Sequence, residues 1–275
     1  MIVEIEGAAL HLAHADELPA KWVGQTDLMR QLLAAWLVID PADLPMNPRL
    51  IGKPGSGKTT LAYAAAARLG REIYIMQATA DTRPEDLIVT PVIEGERKLR
   101  YAASPLVSAM LRGGVAIIDE GNRMPEKSWA SLAPLLDSRR YVESITAGIK
   151  IRAHPNFRLV ATMNDDASTF DLPEYIQSRL QPQILLDFPE RDEEHEILRE
   201  NLPFGDEEIL RYVTDFLQMA HASEERYSPR DGINIARYAM KLQRAAAGPL
   251  AAREALHTAV LETLGGEALR YVPRA

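Results

Sequence analysis

The chain has no cysteine in its 275 residues. Disulfides, zinc–thiolate sites and thiol nucleophiles are therefore excluded, which fits a reducing, cytoplasmic location. Long apolar runs are missing too. The longest, Leu32 to Ile39, falls far short of the roughly 20 residues that cross a bilayer, so no membrane insertion is expected. Glu4 and Glu6 stand where a secretory signal would carry positive charge. A basic surplus is also lacking. The formal net charge is −8, whereas a general nucleic-acid binder shows an excess of Lys and Arg. Histidines are few, and only His11 and His14 are closely spaced. With no third ligand nearby they read as surface or local packing rather than a metal site.

The composition that remains, 47% hydrophobic and 25% charged, suits one large globular domain or one plus a smaller one. Residues 1–20 read as irregular. Gln25 to Ile39 has helical periodicity, with Leu28, Leu32, Leu33, Trp36 and Leu37 on one side. Short apolar runs at Leu50-Ile51, Glu72–Met76, Val115–Ile118, Phe157–Thr162 and Gln183–Leu186 look like buried strands. Helical stretches separate most of them, which predicts an α/β fold with a parallel sheet covered by helices. Two insertions interrupt the alternation. One runs from Leu87 to Tyr101, with a turn at Glu94-Gly95-Glu96. The other runs from Tyr141 to Ala153, where Thr146-Ala147-Gly148 turns a hairpin. Beyond Pro189-Glu190 only amphipathic helical segments follow, at about 191–200, 206–222, 229–245 and 250–264. The expected organisation is an α/β domain over 1–189 and an all-helical domain over 190–275.

Gly52-Lys-Pro-Gly-Ser-Gly-Lys-Thr59 is a complete G-x-x-x-x-G-K-T phosphate-binding loop. By chance such a match arises in about one chain in a hundred of this length. Context supports it, because Arg49-Leu50-Ile51 can end a strand and the Ala-rich stretch after Thr59 can start a helix. Each position has a task on a nucleoside triphosphate. Gly52, Gly55 and Gly57 let backbone N–H groups turn inward, with Pro54 and Ser56 between them. Lys58 brings positive charge to the outer phosphate, Thr59 can ligate Mg²⁺, and Thr60 follows at the helix N-terminus.

Val115-Ala-Ile-Ile-Asp119-Glu120 is a buried strand that delivers two carboxylates at its C-terminal end, where ligands bind in open α/β sheets. Asp119 is placed to hold Mg²⁺. Glu120 is placed to take a proton from an attacking water. Phe157 to Asn164 is a further apolar strand ending in a polar side chain. If it lies between the two motif strands, Asn164 reaches Glu120 and can position the water; otherwise it is an ordinary turn residue. Arg179 precedes the last strand, and Arg230 lies in Ser228-Pro229-Arg230, where Ser228 can cap and Pro229 can open a helix.

Taken together these segments resemble AAA+ ATPases, from about residue 22 to 245, and most of all the MoxR clade, including its short CbbQ-like members. The likeness rests on Trp22-Val23-Gly24-Gln25, Gly52–Thr60, Asp119-Glu120-Gly121-Asn122-Arg123 with Pro125, Ala161-Thr162-Met163-Asn164, Leu172-Pro173-Glu174 with Ser178-Arg179-Leu180, and Ser228-Pro229-Arg230. The Met163-Asn164 pair also resembles dynein- and midasin-like modules and the GTP-using restriction motor McrB. The resemblance implies an AAA+ core with a helical lid, ATP and Mg²⁺ as cofactors, and a ring, commonly a hexamer, with nucleotide at subunit interfaces. It implies that Val23 and Gly24 line the adenine pocket, that Asn164 is sensor 1, that Arg179 is an arginine finger acting on a neighbour, and that Arg230 is sensor 2.

Two functional classes follow. The first is a ring ATPase that remodels or activates a protein client, in this clade often with a von Willebrand factor A partner. The second is a nucleic-acid motor or restriction-type NTPase subunit, for which Lys98, Arg100, Arg139, Arg140, Lys150 and Arg152 supply positive charge near the insertions. A small-molecule kinase is disfavoured because Glu120 directly follows Asp119. A GTPase switch is disfavoured because no Asn-Lys-x-Asp motif occurs.

Overall fold

The computed structural model describes residues 1–19, 21–94, 98–165, 172–246 and 250–273. In chain order the elements are β1 (Ile2–Ile5), β2 (Ala8–His11), α1 (Thr26–Trp36), β3 (Arg49–Gly52), α2 (Lys58–Arg68), β4 (Ile73–Gln77), α3 (Pro84–Leu87), β5 (Val89–Glu94) and β6 (Lys98–Ala103). Then come α4 (Pro105–Arg112), β7 (Val115–Asp119), α5 (Glu126–Leu132), β8 (Tyr141–Ser144), β9 (Ile149–Arg152), β10 (Arg158–Asn164), α6 (Glu174–Gln177) and β11 (Gln183–Leu186). Four helices close the chain: α7 (Arg191–Asn201), α8 (Glu207–His221), α9 (Pro229–Ala245) and α10 (Ala252–Leu264). They group into two compact units. One holds Met1–Ala20, Thr26–Gly52 and Lys58–Leu185; the other holds Lys21–Gln25, Lys53–Gly57 and Leu186–Ala275.

The first unit is built on a five-stranded sheet of order β11-β3-β10-β7-β4. β10 runs parallel to both β3 and β7, and β4 runs parallel to β7. Every residue of β10 is buried, as expected of a central strand covered on both faces. α2 packs on β3, β7 and β10 through Leu61, Ala62, Ala65 and Ala66, while α4 packs on β4 and β7. The ends of α4 follow from its sequence. Ser104 accepts a hydrogen bond from Val107 N–H, Pro105 opens the helix, and Gly113 closes it at φ 69°.

Two sequence expectations are corrected here. Residues 1–20 are not irregular throughout. β1 and β2 form a hairpin, and β2 joins β6 in a second sheet of order β1-β2-β6-β5. Its loop is only Glu6-Gly7, with φ of 48° and 84°. Positive φ at both loop residues gives the twist that a two-residue hairpin requires, although Glu is an uncommon first residue for it. Leu37 does not share the buried face of α1 either. The helix ends at Trp36, and Met29, Leu32, Ala35 and Trp36 carry the burial while Leu37 is exposed. The insertion 141–153 is the expected hairpin of β8 and β9. In the 87–101 insertion the two arms pair as β5 and β6, and the turn at Gly95-Glu96 lies outside the described residues.

In the second unit, α7 to α10 enclose an apolar core that includes Leu198, Val213, Phe216, Leu217, Ile235, Leu256 and Val260. α8 and α9 approach closely at Gly232, where a β-carbon would stand 2.5 Å from Leu217 Cδ1. Among the described residues no helix is long and apolar enough to cross a membrane.

Candidate functional site

The register of the first sheet brings the polar residues together. Asn164 pairs with Gly52, and Asp119 pairs with Gln77, so β3, β10, β7 and β4 end at one edge. Asp119 Oδ1 accepts two hydroxyl hydrogen bonds there, from Thr59 at 2.6 Å and from Thr162 at 2.6 Å. Thr162 also accepts the Glu120 N–H at 3.0 Å. Glu120 has left-handed backbone, φ 55°, just beyond the strand end. Its carboxylate receives Asn164 Nδ2 at 3.4 Å on Oε1 and lies 2.9 Å from Arg123 Nε on Oε2. Asn122 holds the Asn164 backbone from both sides, giving Nδ2–H to its carbonyl at 2.8 Å and taking its N–H at 3.3 Å. Lys58, 6% exposed, gives Nζ–H to the Gly52 carbonyl at 2.9 Å, and Thr60 is half-buried beside it.

The condition set for Asn164 is met, because β10 does lie between β3 and β7. Three members of this cluster, Thr162, Asn122 and Arg123, stood in the motifs quoted for the resemblance but were given no role there. Thr162 looked like one more strand residue. Its signal was a hydroxyl in an otherwise apolar run two places before Asn164. Gly121 packs closely against Trp129. A β-carbon there would stand 3.0 Å from Trp129 Cζ2, and Trp129 Nε1–H bonds the Gly121 carbonyl at 3.1 Å.

The second unit carries the rest of the phosphate loop. Gly55 has φ 78°, and a β-carbon there would run into the Ser228 hydroxyl and lie 3.5 Å from Arg230 Cβ. Ser228 caps α9 in a reciprocal pair with Asp231, and Pro229 opens the helix. Arg230 is exposed and makes no hydrogen bond or ion pair among the described residues. Pro54 is exposed and Ser56 buried. Gly24 has φ 68°, Val23 beside it is half-buried, and Glu193 fills the space a β-carbon would take at Gly24 while accepting Gln25 N–H at 2.7 Å. Ser56 Oγ and Trp22 Nε1 are shut from solvent and have no hydrogen-bond partner among the described residues. Orphaned donors beside a glycine loop are what a phosphate-bearing ligand would satisfy.

Arg179 stands apart from these groups. It gives Nη1–H to the Tyr175 carbonyl at 2.5 Å and lies 3.6 Å from Asp137.

The donor chemistry fits Mg²⁺ and a triphosphate. Thr59 and Asp119 are hard oxygen donors in contact. Among the described residues no group of three His, Cys, Asp or Glu side chains forms a cage, and Mg²⁺ is usually shared between one or two protein oxygens, phosphates and water.

Residues 49–180 match the family described as AAA domain (dynein-related subfamily). This segment is similar to AAA domains. Among the curated relatives that match are uncharacterized proteins of staphylococci. One from Staphylococcus haemolyticus is 26% identical over 179 residues, 63% of this chain and 68% of the relative. One from Staphylococcus aureus is 28% identical over 200 residues, 68% of this chain and 76% of the relative. Among solved structures, the Thermotoga maritima RuvB Holliday junction branch migration motor aligns with a TM-score of 0.60 at 17% identity, covering 88% of this chain and 72% of that one. NtrX from Brucella abortus, in complex with ADP, aligns with a TM-score of 0.57 at 16% identity, covering 91% and 66%. The parallel sheet with its helices and the C-terminal helices thus have the fold of P-loop AAA+ ATPases.

Proposed function

We propose that this protein is a ring-forming, Mg²⁺-dependent ATPase of MoxR type that hydrolyses ATP at subunit interfaces to remodel or activate a protein client. The observation that carries the reading is the cluster at Asp119, where two threonine hydroxyls, the adjoining Glu120 and Asn164 converge at one sheet edge. Thr59 and Asp119 would hold Mg²⁺, which would supply neutralisation of the phosphate charge. Lys58 and the N–H groups of Gly52–Thr60 bind the phosphates. Thr59, its proton committed to Asp119, keeps lone pairs for the cation, and Asp119 holds the cation's shell. Glu120 takes the proton of the attacking water, and Asn164 orients that water between Glu120 and the phosphate. Val23 and Gly24 bound the base, and the helical unit 190–275 acts as a lid that brings Arg230 to the phosphates of its own chain. Arg179 acts on the nucleotide of the next chain, so a ring, commonly a hexamer, completes each site.

The client is a protein, reached directly or through a von Willebrand factor A partner. A nucleic-acid motor is the second reading, with GTP as a possible fuel. Two of its supporting cations are already committed, Lys150 to Glu143 at 2.9 Å and Arg139 to Asp137 at 2.8 Å, which favours the protein client. The test is turnover per chain against protein concentration, in wild type and Glu120→Gln. Turnover should rise with assembly and vanish in Glu120→Gln while ATP binding persists. Undiminished turnover in Glu120→Gln removes it from the mechanism. Stimulation by DNA that weakens steeply with salt replaces the client reading with the motor.

A further inference from the structure

Arg179 lies in the link 178–182 between α6 and β11. Residues far ahead of it in sequence hold that link. Arg49, the first residue of β3, spans it. Its Nη1–H goes to the Gln177 carbonyl at 3.1 Å, just before the link, and its Nη2–H to Gln183 Oε1 at 2.8 Å, just after it. The Arg49 backbone N–H donates to the Pro182 carbonyl at 3.0 Å. Asn47, only 7% exposed, gives Nδ2–H to the Arg179 carbonyl at 3.4 Å and to the Leu136 carbonyl at 3.0 Å. Leu136 adjoins Asp137, whose Oδ2 lies 3.6 Å from Arg179 Nε. One buried amide therefore holds the backbone of Arg179 and the backbone just before its carboxylate neighbour.

The last carbonyls of a helix lack intrahelical partners, and a cation is favourable at that end. Arg49 meets both needs for α6. A helix of four residues does not hold itself, so the direction in which Arg179 leaves it rests on this clamp. The clamp has a cost. Arg49 is half-buried, burial pushes its guanidinium down from the ordinary value, and no carboxylate pairs with it among the described residues. Its Nε is shut from solvent without a hydrogen-bond acceptor among them. A partly desolvated cation that bonds only neutral oxygens is expensive to keep, and what it secures is the link. Neither the Arg49 nor the Asn47 side chain hydrogen-bonds to the phosphate loop or the Asp119 cluster among the described residues.

We propose that Asn47 and Arg49 are positioning residues for Arg179, fixing the link from which its guanidinium serves the next chain, a role that rests on the ring ATPase reading above. β3 then has a task at each end. Gly52 opens the phosphate loop of its own chain, and Arg49 sets the residue offered to the neighbour. A charged group must meet its phosphate closely, and a displacement of about 1 Å can cost about a hundredfold in rate.

The test uses the full chain carrying Asn47→Leu, which keeps the size and removes the amide, or Arg49→Met, which keeps the stem and removes the charge. Heteronuclear NMR first follows exchange of the Arg179 Nε–H with water, its signal assigned by its loss in Arg179→Lys. Because Nε is shut from solvent, exchange should be slow in wild type and at least tenfold faster in either variant. Unchanged exchange in both overturns the proposal whatever the turnover. Each variant should also lower kcat about 10- to 100-fold at unchanged ATP affinity, and Arg49→Lys should keep most of the rate. Mixed with Lys58→Ala chains, which lend an intact Arg179, each should regain turnover. Weakened ATP affinity overturns the positioning role. So does failure to regain turnover in mixed oligomers, where Arg179→Ala with Lys58→Ala does regain it. If melting shows that Asn47→Leu does not fold, Arg49→Met alone decides. Absence of turnover in wild type overturns the ATPase reading itself, while Nε–H exchange still decides the clamp on Arg179.

Discussion

Thr162 gives its hydroxyl proton to Asp119 at 2.6 Å and takes the backbone N–H of the next residue, Glu120, at 3.0 Å. One side chain on the central strand thereby fixes both carboxylate-bearing residues of the neighbouring strand. Thr162 is 1% exposed, so these bonds form away from competing water. The left-handed turn at Glu120 is held on its other side by Arg123, whose N–H donates to the Glu120 carbonyl at 2.9 Å.

Thr162→Val keeps the shape and removes both bonds. It should lower kcat about 10- to 100-fold, the usual effect of losing a group that orients a ligand to the metal, with little change in nucleotide affinity. Thr162→Ser should restore most of the rate. Equal kcat in wild type and Thr162→Val, with the fold intact, would show that Asp119 and Glu120 need no such brace.

Arg179 has no partner among the residues around Asp119, which suits an arginine that serves another chain. Arg179→Ala and Lys58→Ala subunits, each inactive alone, should regain turnover when mixed, because a Lys58→Ala chain can lend Arg179 to a neighbour that binds ATP. Mass analysis must show that mixed oligomers formed. Mixed oligomers without activity would place Arg179 in its own chain's chemistry or outside chemistry altogether.

Gly55→Ala meets two obstacles at once. Backbone at φ 78° disfavours any side chain, and the new methyl collides with Ser228, the residue that caps α9. Backbone strain of about 1–2 kcal/mol and loss of part of a cap worth about 1 kcal/mol should combine. A melting point lower by several degrees and at least tenfold weaker nucleotide binding are expected from thermal scans and equilibrium titration. Wild-type values for both would mean that the loop and cap move apart without cost.

Glu194 provides a pH signature in the helical unit. It is fully buried, bonded on Oε2 by Gln218 Nε2–H at 2.7 Å, and without a hydrogen-bond partner on Oε1 among the described residues. Burial raises its carboxyl from 4.5 to about 7, and burial lowers His221, whose Nδ1 lies 4.0 Å away. The folded unit thus keeps a proton that the unfolded chain releases. Stability from this group is full below about pH 4.5, falls as pH rises to about 7, and is flat above. Glu194→Gln should therefore stabilise by about 1–3 kcal/mol at pH 8, with the gain shrinking toward zero near pH 4.5. A gain that does not vary with pH, measured by denaturant unfolding, would show that Glu194 does not titrate in this range.

Much of the site was legible because its signals are local. Gly52–Thr60 is contiguous, its glycines and Lys58 match one phosphate-loop pattern, and the Ala-rich stretch behind them continues as helix α2. Val115–Ile118 followed by Asp119 and Glu120 shows a strand buried on both faces with its charges at one end. The alternation of apolar runs and helices likewise gave the α/β class, since each run is long enough to declare its own burial.

The remainder depended on pairings between distant segments. β1 and β2 are short and partly exposed, and β2 acquires its place from β6, some ninety residues on, so no local pattern marked them. The role of Thr162 is invisible until β10 is inserted beside β7 in one register; a slip of one residue would turn its hydroxyl to the other face. Asn47 and Arg49 meet the link that carries Arg179 only because β11 is placed beside β3 in the sheet. By itself, then, the sequence marked the residues proposed to handle a triphosphate. The tertiary structure decided which residues brace them, because hydrogen bonds and desolvation depend on neighbours in space rather than in order.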